Sequence, residues 1–210
     1  EYKLMGLAPY GHEDSDQVKN FENKIKEHLI DIRSDGSFIL NMDYFNYATG
    51  LTMTKNAKWK KLFGLPKRES ETDLTQDYMN LALAIQRVTE ALVIQLAQTA
   101  KELTKADYLV LAGGVALNCV ANGKLLRKNI FKDIWIQPAA GDAGGAVGAA
   151  YAVWHIVNQE PRSVIEGKDS MKGSLLGPQF TESEIIKSIR SYNAPYHRFE
   201  NRKDLHETLA

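Results

Sequence analysis

The 210-residue sequence is short of cysteine, of excess charge and of long apolar runs, and each shortage excludes a class of protein. Its one cysteine, Cys119, excludes a framework of disulfides within the chain and makes a reducing cytoplasm the expected location. Lys plus Arg and Asp plus Glu number 26 each, so no net charge attracts nucleic acid or an anionic membrane. No apolar run approaches the roughly 20 residues that span a bilayer. A globular protein with a core is expected.

Both ends of the sequence predict a piece of a longer protein. It begins at Glu1 without an initiator Met or a basic-then-apolar leader, and it closes in the amphipathic run 204–209. The domain that we predict covers residues 1–157, followed by a linker over 158–180 and the start of a further segment over 181–210. Thr181 is expected to cap a helix in that last segment.

Helical and strand patterns alternate along the predicted domain. Apolar residues three or four positions apart predict helices, and short apolar runs before glycine turns predict strands. A strand followed by a glycine turn and a helix is typical of α/β folds with parallel strands, which bind ligands at the strand ends. The segment 52–73 has no lasting period and is predicted to be a surface excursion over a site. The predicted helices cover 15–30, 74–103, 115–128 and 143–157, and the strands cover 37–42, 108–111 and 134–136.

The first glycine turn is a candidate anion site. Gly113 and Gly114 separate a predicted strand from a helix, whose first N–H groups are unpaired and favour phosphate. Asn118, one turn further on, can add a side-chain amide. There is no dinucleotide fingerprint and no P-loop. A tight strand-to-helix turn without a ligand stays open as the alternative.

The second glycine turn places a carboxylate after a strand. Asp142 lies between Gly141 and Gly144, which leave room for phosphates, and its oxygens suit Mg²⁺, Mn²⁺ or Fe²⁺. The alternative is that Asp142 only caps the next helix. No two of the five histidines are spaced to join it in a metal site, and Cys119 is expected to be a small core residue.

Three phrases in series resemble the O-carbamoyltransferase family, which includes nodulation-factor and antibiotic carbamoyltransferases. They are YKLMGLAPYG at 2–11, AGGVALNC at 112–119 and PAAGDAGGA at 138–146, and LGPQF at 176–180 is similar to the family's junction to its next domain. The resemblance implies the second half of an actin/Hsp70/sugar-kinase-like (ribonuclease H-like) α/β domain, with a mixed sheet and flanking helices. It also implies transfer of a carbamoyl group from carbamoyl phosphate, through an ATP-derived carbamoyl-adenylate, to a hydroxyl of a small molecule.

The resemblance also implies roles for particular residues. Asp142 would complete a divalent metal site, iron above Mn²⁺ or Mg²⁺, with two histidines from the first half of the domain, and would take part in catalysis. Lys3 would lie near the substrate cleft and is the second candidate catalytic residue. The residues expected to hold ATP are Gly113, Gly114, Val115 and Asn118, with Gly141 and Gly144 beside the phosphates.

Parts of the implied protein are missing from this sequence. The first half-domain with its histidines would precede Glu1, and a YrdC-like domain would follow Ala210. We therefore expect this chain alone to bind ATP weakly or not at all and to be inactive. Three alternatives stay open: a relative that transfers threonylcarbamoyl to tRNA, a sugar-kinase-like phosphotransferase, and a non-catalytic nucleotide-binding module. The acceptor and the oligomeric state are not readable.

Overall fold

A computed structural model describes residues 2–165, 167–169 and 171–209. The chain forms two compact units, the first ending at Pro161 and the second beginning at Arg162. In the part of the chain that the structure describes, no helix is long and apolar enough to cross a membrane.

The first unit alternates helices with short strands. The predicted helices and strands are found, and the structure adds two helices, Tyr2–Leu7 and Asn56–Phe63, and a strand, Ile30–Ile32, which the apolar spacing did not predict. Ser15 starts the second helix, where its hydroxyl accepts a hydrogen bond from the Gln17 N–H at 3.1 Å. The helices are α1 (Tyr2–Leu7), α2 (Asp16–Lys24), α3 (Asn56–Phe63), α4 (Gln76–Thr104), α5 (Cys119–Arg127) and α6 (Gly144–Ala152). The strands are β1 (Ile30–Ile32), β2 (Phe38–Leu40), β3 (Tyr108–Leu111) and β4 (Asp133–Ile136). Single π turns follow α2 (Ile25–Leu29) and α6 (Val153–Val157), and 3₁₀ turns lie at Ala8–Tyr10 and Gly114–Leu117.

The 29-residue helix α4 is the central element of this unit, which confirms the long helix predicted over 74–103. Its buried residues include Ala84, Val88 and Ala97. Its amino-terminal half packs against Val18 and Phe21 of α2 in one apolar cluster. Its carboxyl-terminal half packs against α5 in a second cluster. One helix therefore supports both ends of the unit.

The two pairs of strands have different geometry. Strands β1 and β2 form an antiparallel pair, with Ile30 opposite Leu40. Strands β3 and β4 are parallel, with Tyr108 beside Asp133, as the strand–helix–strand pattern predicts. The described residues thus form two separate two-stranded sheets, where the resemblance implied one mixed sheet. The protein is mixed α/β.

The segment 52–73 is more than a surface excursion, so this prediction is wrong in part. It contains α3, whose Phe63 is 6% exposed and meets Phe21 edge to face at 5.5 Å. Trp59, on the same face of the helix, donates its indole N–H to the Tyr44 carbonyl at 3.0 Å. Burial of two aromatic side chains four positions apart stabilises this helix against the core, although the residues around them include several lysines. Residues 52–55 and 64–75, on either side of this helix, have no helical structure.

The predicted apolar helix over 143–157 is confirmed as α6 with its π turn, but it has no buried residues. Trp154 and Ile156 are 54% and 74% exposed. The apolar residues of this helix are distributed around all of its faces, so packing one face against the rest of the unit could not bury all of them. A large apolar surface is left exposed within this unit.

The second unit contains α7 (Glu182–Ser191) and α8 (Arg202–Leu209). Thr181 caps α7, which confirms the prediction. Its hydroxyl accepts from the Glu184 N–H at 3.3 Å, and the Glu184 carboxylate accepts from the Thr181 N–H at 2.7 Å. This is a capping box, in which each residue satisfies an unpaired donor of the other.

Candidate functional site

The first glycine turn begins where β3 ends. Gly113 has φ +96°, a conformation that side chains with a Cβ atom rarely adopt. Its N–H donates to the Ala140 carbonyl at 2.8 Å. Because β3 and β4 are parallel, the loops after both strands lie at the same edge of the sheet, and this hydrogen bond joins them. The two predicted turns are therefore neighbours.

Two backbone donors are available at this turn. The N–H groups of Gly114 and Val115 take part in none of the hydrogen bonds formed among the described residues. Both residues line a cavity. Unpaired N–H groups at the start of a helical turn are suited to an anionic ligand.

Asn118 has a structural task that the sequence did not reveal. Its Oδ1 accepts from the Ala121 N–H at 3.1 Å, which caps α5. Its Nδ2 donates to Gln86 Oε1 at 2.9 Å, and Gln86 Nε2 donates back to Asn118 Oδ1 at 3.1 Å. The amide of Asn118 is thus held between α4 and α5, and the side that faces Gln86 already makes two hydrogen bonds.

A buried polar chain continues from Gln86 along α4. Gln86 Nε2 also donates to Glu90 Oε1 at 2.8 Å, and the other oxygen of Glu90 accepts from the ammonium of Lys124 on α5. Gln86 and Glu90 are 3% and 5% exposed. Sequence reasoning missed both residues. Their signal is the four-residue spacing of two polar side chains on the buried side of an otherwise apolar helix.

Asp142 does not cap the following helix, which overturns that alternative. Residue Ala143 occupies the cap position of α6, and no side chain caps the helix there. Within the described part of the chain, the Asp142 carboxylate has no hydrogen-bond partner, while its backbone carbonyl accepts from the Gly145 N–H at 3.1 Å. The carboxylate is exposed and lines the same cavity as Val115. It is free to meet a ligand.

The glycines around Asp142 differ in what they do. A Cβ atom on Gly144 would lie 2.1 Å from the Ala139 carbonyl oxygen, so this position must be glycine for the loop to close. A Cβ on Gly145 would meet nothing within 4 Å. Gly141 lines the cavity, whereas Gly144 is not among its walls. Close packing is what requires glycine at Gly144.

The cavity has a volume of about 440 Å³ and lies between α1, α4 and the two glycine turns. Of the residues predicted to form the site, it brings together Gly114, Val115, Asn118, Gly141 and Asp142. Its apolar walls come mainly from α1 and α4, on which Leu4, Met5, Ile85 and Thr89 are found. Lys3 is not among the walls and lies in a neighbouring groove.

The described residues do not by themselves form a metal site. No group of three His, Cys, Asp or Glu side chains among them is arranged to hold a metal ion. Among the residues that the structure describes, Asp142 is the one carboxylate that lines the cavity. One oxygen ligand does not meet the coordination that Mg²⁺, Mn²⁺ or Fe²⁺ requires.

Cys119 is exposed, so its prediction as a core residue is wrong. It is the first residue of α5, one position after the cap, and it does not belong to the apolar cluster that holds Leu125. Its Sγ lies 3.9 Å from the sulfur of Met5 on α1. Its position at the helix end decides its exposure more than its residue type does.

The first motif is fixed onto the start of α4. Asn80, 3% exposed, accepts from the His12 N–H at 2.8 Å and donates to Gln17 Oε1 at 2.6 Å. A Cβ on Gly11 would lie 2.7 Å from the Cβ of Leu83, so the loop approaches the helix as closely as glycine allows. The three motifs therefore meet around a single helix.

These features define a mixed α/β protein with a ligand cavity at the carboxyl ends of two parallel strands. The chain belongs to the carbamoyltransferase family: the family described as Carbamoyltransferase N-terminus matches residues 1–151. The match is to the amino-terminal region of such enzymes, while the resemblance implied the second half of an actin-like domain.

Curated relatives agree with the family. The uncharacterized protein sll1178 of Synechocystis is 56% identical over 185 residues, which cover 88% of this chain and 29% of that protein. Nodulation protein NolNO of Sinorhizobium fredii is 35% identical over 171 residues, covering 79% of this chain and 22% of that protein. Nodulation protein NolO of Bradyrhizobium diazoefficiens is 37% identical over 153 residues, covering 73% and 25%. The chain spans less than a third of the length of these relatives.

Proposed function

We propose that this chain is the nucleotide-cleft part of an ATP-dependent O-carbamoyltransferase. The observation that carries the proposal is the meeting of both glycine turns and Asp142 in one cavity, in a chain of the carbamoyltransferase family. The full-length parent would convert carbamoyl phosphate and ATP into carbamoyl-adenylate and then carbamoylate a hydroxyl of a small molecule in the cytoplasm. The fold would be part of an actin-like domain.

The free N–H groups of Gly114 and Val115 are suited to hold the phosphate of the adenylate. In the transfer step, the acceptor oxygen bonds to the carbamoyl carbon, and the bond from that carbon to the phosphate oxygen breaks. The electron pair leaves with AMP, and the hydroxyl proton passes to solvent. Backbone donors that fix the phosphate align the leaving group with the attacking oxygen, which is the main contribution expected from rigid positioning.

Asp142 is proposed to be one ligand of a divalent metal ion whose remaining ligands lie outside this sequence. Its carboxylate is exposed in the cavity and has no partner among the described residues, which supports a ligand role over a structural one. A divalent cation bound there would stabilise negative charge at the reacting carbonyl. Fe²⁺ is our first expectation, with Mn²⁺ and Mg²⁺ as alternatives.

We further propose that the exposed apolar surface of α6 and its π turn packs against other parts of the parent protein. Tyr151 and Trp154 are 50% and 54% exposed, and neither α6 nor its π turn has a buried residue. The missing half-domain and a YrdC-like domain would complete the enzyme. This chain alone is accordingly expected to bind ATP with a Kd above roughly 10 µM.

The test is pyrophosphate release by the full-length parent with ATP and Fe²⁺ or Mn²⁺, measured with and without carbamoyl phosphate. Release that depends on carbamoyl phosphate would support carbamoyl-adenylate formation without requiring a known acceptor. If ADP is the product, or if pyrophosphate release is the same without carbamoyl phosphate, the proposal is rejected in favour of a phosphotransferase or a non-catalytic module. The equal numbers of acidic and basic residues disfavour a tRNA substrate.

A further inference from the structure

A second cavity, of about 610 Å³, adjoins the one that contains Asp142. The two cavities share Leu4 and Ile85 as walls. A volume of this size suits a small organic molecule. The side chains that distinguish the second cavity, here named the cationic groove, are Lys3, Tyr10, Arg68, Leu74, Tyr78 and Leu81.

The surface loop 64–75 forms one side of the cationic groove. The hydroxyl of Tyr78 on α4 donates to the Pro66 carbonyl at 3.0 Å, which ties the loop to the helix. Within the loop, Arg68 Nη1 donates to the Thr72 carbonyl, and the Thr72 hydroxyl donates to the Glu69 carbonyl at 2.8 Å. Arg68 is therefore held in a formed loop.

The charge in this groove is of one sign. Its walls include two basic side chains and no acidic one. Neither Lys3 nor Arg68 forms a salt bridge with any residue that the structure describes. Arg68 is half-buried, and its guanidinium uses only neutral oxygens of Thr72. An anion stabilises a cation that lies beside apolar walls more strongly than it stabilises a cation that is fully hydrated.

The remainder of the floor is apolar. Leu74 and Leu81 face the groove together with Leu4 and Ile85, and the two tyrosines add an aromatic rim. Such walls bind a hydrocarbon or aromatic body through burial of its surface. The shared residues Leu4 and Ile85 place this part of the groove next to the cavity of Asp142.

We infer that the cationic groove binds the acceptor, and that the acceptor is an anionic amphiphile. Its carboxylate or phosphate would lie at Lys3 and Arg68, its apolar body along α4, and its hydroxyl beside Leu4 and Ile85. The assignment of this ligand as the acceptor rests on the proposed carbamoyl transfer, whereas the binding of an apolar anion does not. A polycationic acceptor is disfavoured by the same charges.

The binding test uses three eight-carbon probes on the full-length parent, by calorimetry. Octanoate is expected to bind at least about tenfold more tightly than octylamine, with 1-octanol between them. Arg68→Gln should weaken octanoate binding about tenfold, and Arg68→Glu should turn the preference toward octylamine. Lys67→Gln is the matched control, because Lys67 is exposed and does not line the groove. Equal binding of octanoate and octylamine, or an unchanged Kd in Arg68→Glu, would overturn the inference.

The acceptor role is tested with 8-hydroxyoctanoate, which adds a hydroxyl at the other end. Its carbamoylation should exceed that of 8-amino-1-octanol, and Arg68→Gln should raise the KM for it more than it lowers kcat. If octanoate binds but pyrophosphate release does not depend on carbamoyl phosphate, the proposed function is rejected and the groove remains a binding site for apolar anions. Pyrophosphate release without preference for octanoate would reject the groove alone.

Discussion

Gln86 and Asn118 exchange two amide hydrogen bonds, of 2.9 and 3.1 Å, across 32 residues of sequence. Gln86 belongs to α4 and is buried, and Asn118 is the cap residue of α5. The pair lines the wall of the cavity in which the two glycine turns meet. This reciprocal amide contact therefore helps to fix the position of the first turn relative to α4.

Gln86→Ala is expected to loosen α5, because it removes the acceptor of the half-buried Asn118 Nδ2 and the donor to Glu90 Oε1. An unsatisfied buried polar group costs about 1–3 kcal/mol, so the free energy of local opening should fall by that amount. Hydrogen exchange of residues 119–127 in the parent protein measures it. Glu102→Ala, at an exposed position of α4 outside this network, should leave the exchange rates of residues 119–127 unchanged. Equal rates in Gln86→Ala would show that the amide pair does not hold the helix.

Glu90 and Lys124 form an ion pair that is buried on one side only, since their side chains are 6% and 44% exposed. Lys124→Met should destabilise the protein by about 2 kcal/mol, less than the ~3–5 kcal/mol for breaking a fully buried pair, because water reaches the lysine. The double variant Glu90→Leu/Lys124→Met should lose less free energy of unfolding than the two single variants lose together. Chemical denaturation of the four proteins in the cycle measures the coupling. Additive losses would contradict a direct interaction.

Gly144→Ala and Gly145→Ala form a matched pair of substitutions in one turn. The first places a Cβ atom 2.1 Å from the Ala139 carbonyl oxygen, and the second places it in open space. Gly144→Ala must displace the loop that carries Asp142, and we expect pyrophosphate release to fall about tenfold or more, since positioning errors near 1 Å cost about that much or more. Pyrophosphate release by Gly145→Ala should stay within about twofold of that of the parent enzyme. Equal activity of the two variants would show that this turn does not set the position of Asp142.

Asp142→Ala is expected to lower carbamoyl transfer by about 10²-fold or more while leaving the melting temperature nearly unchanged. Its carboxylate makes no hydrogen bond within the described part of the chain, so the fold loses no contact when it is removed. Single-turnover kinetics with the full-length enzyme and 8-hydroxyoctanoate, alongside thermal unfolding, separate the two effects. Unchanged transfer would remove Asp142 from the catalytic centre.

The capping box of α7 should make this helix sensitive to acid. Hydrogen bonds from the hydroxyl and the N–H of Thr181 hold the pKa of Glu184 below its ordinary value of 4.5. A lowered pKa in the folded state means that the stabilisation is fully present above about pH 4.5 and is lost as the pH falls through the folded pKa. The protection factors of the α7 amides, which compare each exchange rate with the intrinsic rate at the same pH, should therefore fall more between pH 6 and pH 3 than those of α4. Glu184→Gln should remove the difference, and a pH-independent α7 would contradict the assignment.

Much of the local structure could be predicted from the sequence. The long helix α4, the strands before each glycine turn and the cap at Thr181 follow from spacing and residue type over a few positions. Helix periodicity and capping act between residues within one or two turns, so the pattern carries them. The three motifs were also enough to indicate the carbamoyltransferase family, to which the chain belongs.

Other features were misjudged, for physical reasons that are particular to each site. Cys119 is exposed because it begins a helix outside the apolar cluster, which its residue type does not reveal. Trp59 and Phe63 turn a lysine-rich segment into part of the core, since burial of two aromatic rings outweighs the charges around them. Gln86 and Glu90 were missed because polar residues on a helix suggest a solvated face unless the packing is known.

The sequence alone determined most of the helices and strands, the two glycine turns and the family of this protein. Only the tertiary structure decided that Asp142 lines a cavity with Gly114 and leaves α6 uncapped, and that Lys3 lies with Arg68 in a separate groove. The reason is the range of the forces involved. Turns and helices depend on backbone geometry over a few residues, whereas a cavity depends on how α1, α4 and the strand ends pack across the whole first unit.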